Sequence, residues 1–292
     1  MSLLVSVLSF LAGCDGNTVG CGAPCEDFEG DDPDTGVPLY VREEPEAELT
    51  AEEVGQRLFE VFGQGFPNGE LVKDTYLAMM AMGDPTCPAS ETILTEAYIL
   101  GCTAESGYYF SGVCVYDEQL QSDELGSTLT WGLGGDFSLN YPDGAEFAAG
   151  GGATYTGHRA PDGTERFQAT LRGTWYDESQ ANWLGQGFSG LFSVEGGLTA
   201  GKPALEVHGG VAVGEADLFF DHVSWDWAGS CEGAPSGGVR LRDTRGYWYV
   251  WTLDDDCDPC GNVLFHGEID LGELCLDLKP VGEDIYHSLA VP

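Results

Sequence analysis

The chain has 292 residues, 42% of them hydrophobic, with 49 Asp and Glu against 11 Lys and Arg and a formal charge of −38. That length supports one large domain or two small ones. The charge excludes a nucleic-acid partner, which needs a basic face, and disfavours adsorption to anionic lipid headgroups.

From the N-terminus, Leu3 to Ala12 is apolar apart from Ser6 and Ser9. This stretch is too short to span a bilayer, which takes about 20 residues, and suits the apolar region of a signal peptide. Leu11, Ala12, Gly13 and Cys14 resemble the lipobox of bacterial lipoprotein signals. No Lys or Arg precedes the apolar run, a departure from the basic start of such signals. The resemblance implies that residues 1–13 are a signal peptide removed on export. It also implies that Cys14 carries a diacylglycerol on its sulfur and anchors the chain in a bilayer of the cell envelope. Residues 14–48 are rich in Gly, Asp, Glu and Pro without apolar periodicity, the composition of a flexible tether.

A helical, Cys-containing segment is expected over 49–125. Thr50 and Glu53 form a capping-box pattern, with Glu52 also near the positive helix end. Val54, Leu58, Val61 and Phe62 then share a helical face, and Gly63, Gly65 and Pro67 end it. A second helix is expected from Glu70 to Met82, its methionines serving as plastic core filling.

From Gly126 the period changes to two, which defines a β domain over 126–292. Trp131, Leu133, Phe137 and Leu139 alternate with polar or small residues, and Pro142-Asp143-Gly144 marks a turn. Phe147, Ala149, Ala153 and Tyr155 continue to a second turn at Pro161-Asp162-Gly163. Further strands carry Phe167 to Trp175, Phe188 to Val194, Leu205 to Val213, and Phe219, Val223, Trp225 and Trp227. Long strands joined by Gly-bearing turns predict a mainly β fold, a long-stranded antiparallel meander. One apolar face requires the sheet to cover the helices, to curl on itself or to form a sandwich. Gly150, Gly151 and Gly152 in mid-strand allow a sharp bend or bulge.

No chemical motif dominates. Of the five histidines, His208 and His222 lie in expected strands beside Glu206 and Asp221. A zinc site from them competes with the plainer reading of surface or pairing residues. Ser189 lies in Gly-Phe-Ser-Gly, short of a nucleophile elbow, and the Gly150 run has no following Lys or helix to cradle phosphate. Asp31, Asp32 and Asp34 miss the EF-hand spacing, and Asp254, Asp255 and Asp256 are consecutive, so their side chains diverge on an extended backbone. Among the clustered aromatics Trp248 points opposite to Tyr247, Tyr249 and Trp251 and is the candidate for stacking on a sugar ring.

Cys257-Asp258-Pro259-Cys260 admits redox, zinc and disulfide readings. Acidic neighbours raise thiol pKa, no second close pair completes a zinc knuckle, and export supplies an oxidising compartment, so disulfides are favoured. A two-residue turn at Gly267-Glu268 sets His266 opposite Ile269, Leu264 opposite Leu271 and Cys260 opposite Cys275, within disulfide reach. A hairpin around Asp243-Thr244-Arg245-Gly246, with Arg242 opposite Tyr247, brings Cys231 to within a residue of Cys257. The expected bridges are therefore Cys260–Cys275 and Cys231–Cys257, with Cys87–Cys102 as an N-terminal pair. Cys21, Cys25 and Cys114 are left over.

Gly83-Asp84-x-x-Cys87-Pro88, Gly101-Cys102-Thr103 and the C-terminal CxxC-Gly hairpin resemble Cys-containing exported lipoproteins of bacteria with large acidic exported proteomes. The resemblance covers residues 83–112 and 228–278 and implies export and disulfides, without a particular activity. The expected role is a non-catalytic, lipid-anchored binding or structural module at the envelope. Its partners would be a bilayer through acylated Cys14, an envelope protein or glycan, and weakly bound divalent cations. The alternatives are a glycan-binding module, an exported hydrolase with a dispersed active site, and an outer-membrane barrel. No catalytic residue, cofactor or metal ligand is assigned.

Overall fold

The structure, a computed structural model, describes residues 46–62, 69–88, 90–92, 96–179, 185, 187–213, 216–253 and 257–290. Cys14, Cys21, Cys25, most of the tether and Asp254–Asp256 lie outside the described residues. The elements are α1 (Ala51–Phe62), α2 (Gly69–Ala81), β1 (Ser90–Thr92), β2 (Glu96–Thr103), β3 (Tyr109–Asp123), β4 (Gly126–Asn140), β5 (Glu146–Arg159) and β6 (Glu165–Asp177). They continue with β7 (Phe188–Thr199), β8 (Lys202–Val213), β9 (Ala216–Asp226), β10 (Pro235–Arg242), β11 (Trp248–Leu253), β12 (Cys260–Phe265), β13 (Ile269–Cys275) and α3 (Lys279–Leu289).

The thirteen strands form one sheet in chain order. The result is an antiparallel meander rather than a sandwich, and β1 and β13 are its two open ends. Three of the turns share one chemistry. At Asp143, Asp162 and Asp243 the carboxylate accepts the backbone N–H two residues on, from Ala145 (3.1 Å), Thr164 (2.9 Å) and Arg245 (3.0 Å). Gly144, Gly163 and Gly246 follow with positive φ, which glycine adopts at little cost.

Alternation assigns the two faces. Trp131, Leu133, Phe137, Leu139, Phe147, Tyr155, Phe167, Trp175, Phe192 and Trp225 are all buried on the inner face. The three helices cover this face. Phe62 of α1 meets Phe220 of β9, and Gly55 sits against Leu274 of β13, where a Cβ would lie 2.4 Å from the leucine. Tyr76 of α2 packs between Tyr116 and Phe137. At α3, Trp225 Nε1 donates to the Leu278 carbonyl before the helix (3.1 Å), and Tyr155 OH donates to the Leu289 carbonyl at its end (2.9 Å). Tyr155 thus satisfies a C-terminal helix carbonyl that burial would otherwise orphan, while the Leu278 carbonyl also accepts the first intrahelical bond from Gly282 N–H (3.1 Å).

Several expectations are corrected. The sheet begins at Ser90, not at Gly126: β3 pairs with β4 over its whole length, from Tyr109 opposite Asn140 to Asp123 opposite Gly126. The polar run from Asp117 to Asp123 hides β3, because both of its faces are solvated there. The tether docks earlier than residue 49. The N–H groups of Glu48 and Leu49 donate to Tyr249 OH (2.9 and 3.1 Å), and Glu48 pairs with Arg245 (3.1 Å). In β9 the inward residue is Phe220, while Phe219 faces out under Arg240. The first helix begins as expected, with Thr50 N–H donating to Glu53 (2.8 Å) and Glu53 N–H donating to Thr50 Oγ1 (3.3 Å).

The three bridges Cys87–Cys102, Cys231–Cys257 and Cys260–Cys275 are present, though by a different path in both hairpins. Arg242 faces Trp248, one residue off the expected Tyr247. The turn before β13 holds three residues, so Phe265 rather than His266 faces Ile269. A bulge between Val263 and Leu264 then restores the register and sets Cys260 opposite Cys275.

Candidate functional site

The described inner face carries the core beneath the helices, and two features of the outer face gather polar side chains. Two departures from regular pairing shape that face. The first is a row of glycines across four strands: Gly135 of β4 faces Gly151 of β5, which faces Gly173 of β6, which faces Gly190 of β7. Gly135, Gly151 and Gly173 have φ of 150°, 135° and 127°, and a Cβ on any of them would lie within 2.2 Å of a carbonyl oxygen across the ladder. Adjacent strands therefore approach along a crease that side chains would block.

On the outer side of this crease lies a groove of about 440 Å³. Ser111, Ser138, Asp136, Glu146, Thr174 and Tyr176 line it, with Gly150 at the floor. Ser111 and Ser138 share a hydroxyl–hydroxyl hydrogen bond of 2.8 Å. Tyr176 donates to Glu178 (2.8 Å), and that bond, with smaller effects of desolvation and neighbouring carboxylates, holds its phenol above the usual range. Hydroxyls and carboxylates, which can donate or accept hydrogen bonds, and one aromatic ring thus surround a shallow trough.

The second departure is a β-bulge between β8 and β9. Val207 faces Val223 and Gly209 faces Phe220, so His208 alone opposes both Asp221 and His222. His222 takes a left-handed φ of 51°. Gly237 of β10, opposite the bulge, carries φ 111° and has room for no Cβ, which would lie 2.4 Å from His222 O. The extra residue re-aims a side chain, a common use of bulges. His208 and His222 stack with ring centroids 4.1 Å apart and planes 22° from parallel. His222 Nδ1 lies 2.6 Å from Glu206 Oε1, and this hydrogen bond, helped by the charges of Glu206 and Asp221, raises the His222 pKa. Arg240 holds Asp221 Oδ2 and lies over the Phe219 ring. His208, Asp221 and His222 each offer a ligand atom, all within 4.8 Å of one another.

The other sequence candidates are placed as follows. Trp248 lies on the outer face, half-buried, but the Arg242 guanidinium sits 5.7 Å over its ring. Ser189 is exposed near the start of β7 between Thr174 and Ala212, in a strand that leads into another strand. Both CxxC sulfurs are bridged, so the cluster of Cys260, Glu273 and Cys275 offers no thiolate. Cys114 is a buried free thiol whose pKa desolvation pushes up to about 11, the opposite of an activated cysteine.

The residues around the bulge left a readable trace. Buried positions in β9 are even at Leu218 and Phe220 and odd at Val223 and Trp225. That parity switch marks the inserted residue, and the adjacent Phe219 and Phe220 conceal it. No protein-family model matches the chain, and neither a curated protein nor a solved structure matches it.

Proposed function

We propose that this is an exported envelope lipoprotein, anchored through acylated Cys14, whose sheet domain is a non-catalytic binding module for glycans. The anchor reading rests on the apolar run from Leu3 to Ala12 and the lipobox residues up to Cys14. Three disulfides in one chain fit an oxidising, extracytoplasmic compartment. The observation that carries the ligand class is the crease groove, where the hydroxyls of Ser111, Ser138 and Thr174 and the Tyr176 ring meet two carboxylates. Trp248, the sequence candidate for stacking, ranks below Tyr176 because Arg242 already covers it.

The test is retention of envelope polysaccharides on the immobilised full chain. The wild type should retain a glycan fraction that Tyr176→Ala loses while melting normally. Equal retention by both would refute the groove. For the anchor, Cys14→Ala should leave the precursor unprocessed and free of acyl chains by intact mass. A wild-type chain that keeps Met1 and carries no lipid would refute it. A second reading, an exported hydrolase, draws on the gathering of His208, His222, Asp221 and Glu206, and still needs a nucleophile beside them.

A further inference from the structure

The histidine bulge supports an inference independent of the glycan reading. We propose that His208, Asp221 and His222 form a binding site for a divalent transition-metal ion, with zinc the best fit to their donor set.

Four observations converge. First, the three ligand atoms already lie within 4.8 Å of one another, on adjacent strands of a rigid sheet. Coordination with Zn–N bonds of about 2.0–2.1 Å requires the exposed His222 ring to turn out of the stack. Second, His208 Nδ1 is buried without a hydrogen-bond partner. The other described side-chain atoms in that condition are three indole nitrogens and Arg240 Nε, which can only donate. An imidazole nitrogen can also present a lone pair, and a cation would satisfy it.

Third, supporting groups are already positioned. Glu206 accepts from His222 Nδ1, so in the neutral imidazole Nε2 carries the lone pair, as in the carboxylate–histidine–metal arrangement. Arg240 fixes Asp221 through Oδ2 and leaves Oδ1 for the ion. Fourth, the backbone is distorted to create the arrangement. A regular ladder would leave one residue opposite His208, whereas the bulge supplies two, with His222 in a conformation that non-glycine residues rarely hold.

Two imidazoles and one carboxylate suit zinc, and also cobalt or nickel. Calcium and magnesium prefer all-oxygen shells. Three protein ligands leave a fourth position open to solvent. Glu195, Glu206 and Asp226, with Arg166, line a neighbouring groove whose net negative charge favours cations.

The experiment uses the full chain, freed of metal with a chelator and treated with iodoacetamide to block accessible thiols. It is titrated with zinc chloride in excess magnesium chloride, which occupies scattered carboxylates. We expect one zinc per chain with micromolar or tighter affinity, a raised melting temperature, and visible d–d absorption when cobalt(II) is substituted. Asn tolerates the left-handed backbone, so His222→Asn removes the ligand without new strain. Both His222→Asn and His208→Gln should weaken binding at least tenfold and abolish the melting shift, while melting normally without metal. Glu206→Gln, which keeps all three ligands, should weaken binding by roughly tenfold. Absence of a stoichiometric site at 100 µM zinc, or binding by either histidine variant that equals wild type, would overturn the proposal.

Discussion

Gly150 and Gly151 are neighbours in one strand, yet alanine should act on them in opposite directions. At Gly151 the φ is +135°, and a Cβ would lie 2.2 Å from Arg172 O and 2.6 Å from Gly173 Cα. An alanine there carries backbone strain of about 1–3 kcal/mol. It also forces two strands apart along the crease, a further 1–3 kcal/mol or so of overpacking. The expected loss is therefore about 2–6 kcal/mol. At Gly150 φ is ordinary, and the nearest atom to a new Cβ is Asp136 Oδ1 at 4.0 Å. Gly150→Ala should be neutral or stabilising by about 0.4–1 kcal/mol, because it narrows the unfolded ensemble. Urea unfolding separates the two. With m near 3 kcal/mol/M, Gly151→Ala should lower the midpoint by about 0.7–2 M at unchanged m, and Gly150→Ala should not lower it. Equal midpoints for the two variants would show that the glycine row is incidental and the crease is not a packing constraint.

Other outcomes follow from the same structure. Replacing Cys260 and Cys275 together by alanine removes a bridge that closes a loop of separation 15, worth about 3 kcal/mol in the chain-entropy model, and should lower the urea midpoint without loss of the Cys231–Cys257 bridge in a peptide map. Tyr249→Phe removes the acceptor of the Glu48 and Leu49 N–H groups and should cost about 1–3 kcal/mol, with faster hydrogen exchange at both amides. Asp84 is held at about 2 by hydrogen bonds, first from the Thr86 hydroxyl and then from the Glu105, Thr86 and Cys87 amides. A depressed carboxylate stabilises above its ordinary value of 3.8 and loses that contribution as pH falls through about 2, so Asp84→Asn should flatten the fall in melting temperature below pH 4. Cys114, buried and with its pKa near 11, should resist iodoacetamide in the native protein and react on unfolding, as mass mapping of its peptide would show.

The long central strands were legible because β4 to β8 keep large apolar residues on one side and, Leu191 apart, polar or small residues on the other, so period two maps directly onto burial. The first helix was legible because its cap is chemical: Thr50 and Glu53 satisfy each other's amides wherever the rest of the chain goes. Residues 90–123 were not, since β3 is solvated on both faces over half its length and reads as loop. The helix α3 escaped notice although Val281, Ile285 and Leu289 repeat every four residues behind Pro280 near its start. The C-terminal hairpin shows a subtler failure. A turn one residue longer than expected and a bulge cancel, so the Cys260–Cys275 pairing is right while Leu264 faces Asp270 rather than Leu271. The residues of the candidate metal site were legible as a zinc candidate, but the bulge that brings them together was not, because an inserted residue shifts parity without changing composition.

The sidedness of the sheet bears on how the chain can use its outer face. Thr154, Thr156, Gln168, Arg172, Glu195 and Glu206 are exposed there, where a membrane barrel would need an apolar band. The apolar core residues line the other face and lie under the helices. Such a sheet needs only alternation and plain turns to fold. The glycine crease and the histidine bulge are not required by that plan, and both place residues in backbone regions that favour glycine. Distortions that regular pairing does not need concentrate at functional positions. Here one opens a hydroxyl-lined trough, and the other sets two imidazoles and a carboxylate together. Replacing the bulge by a regular ladder, through deletion of His222, should therefore preserve the fold while removing zinc binding.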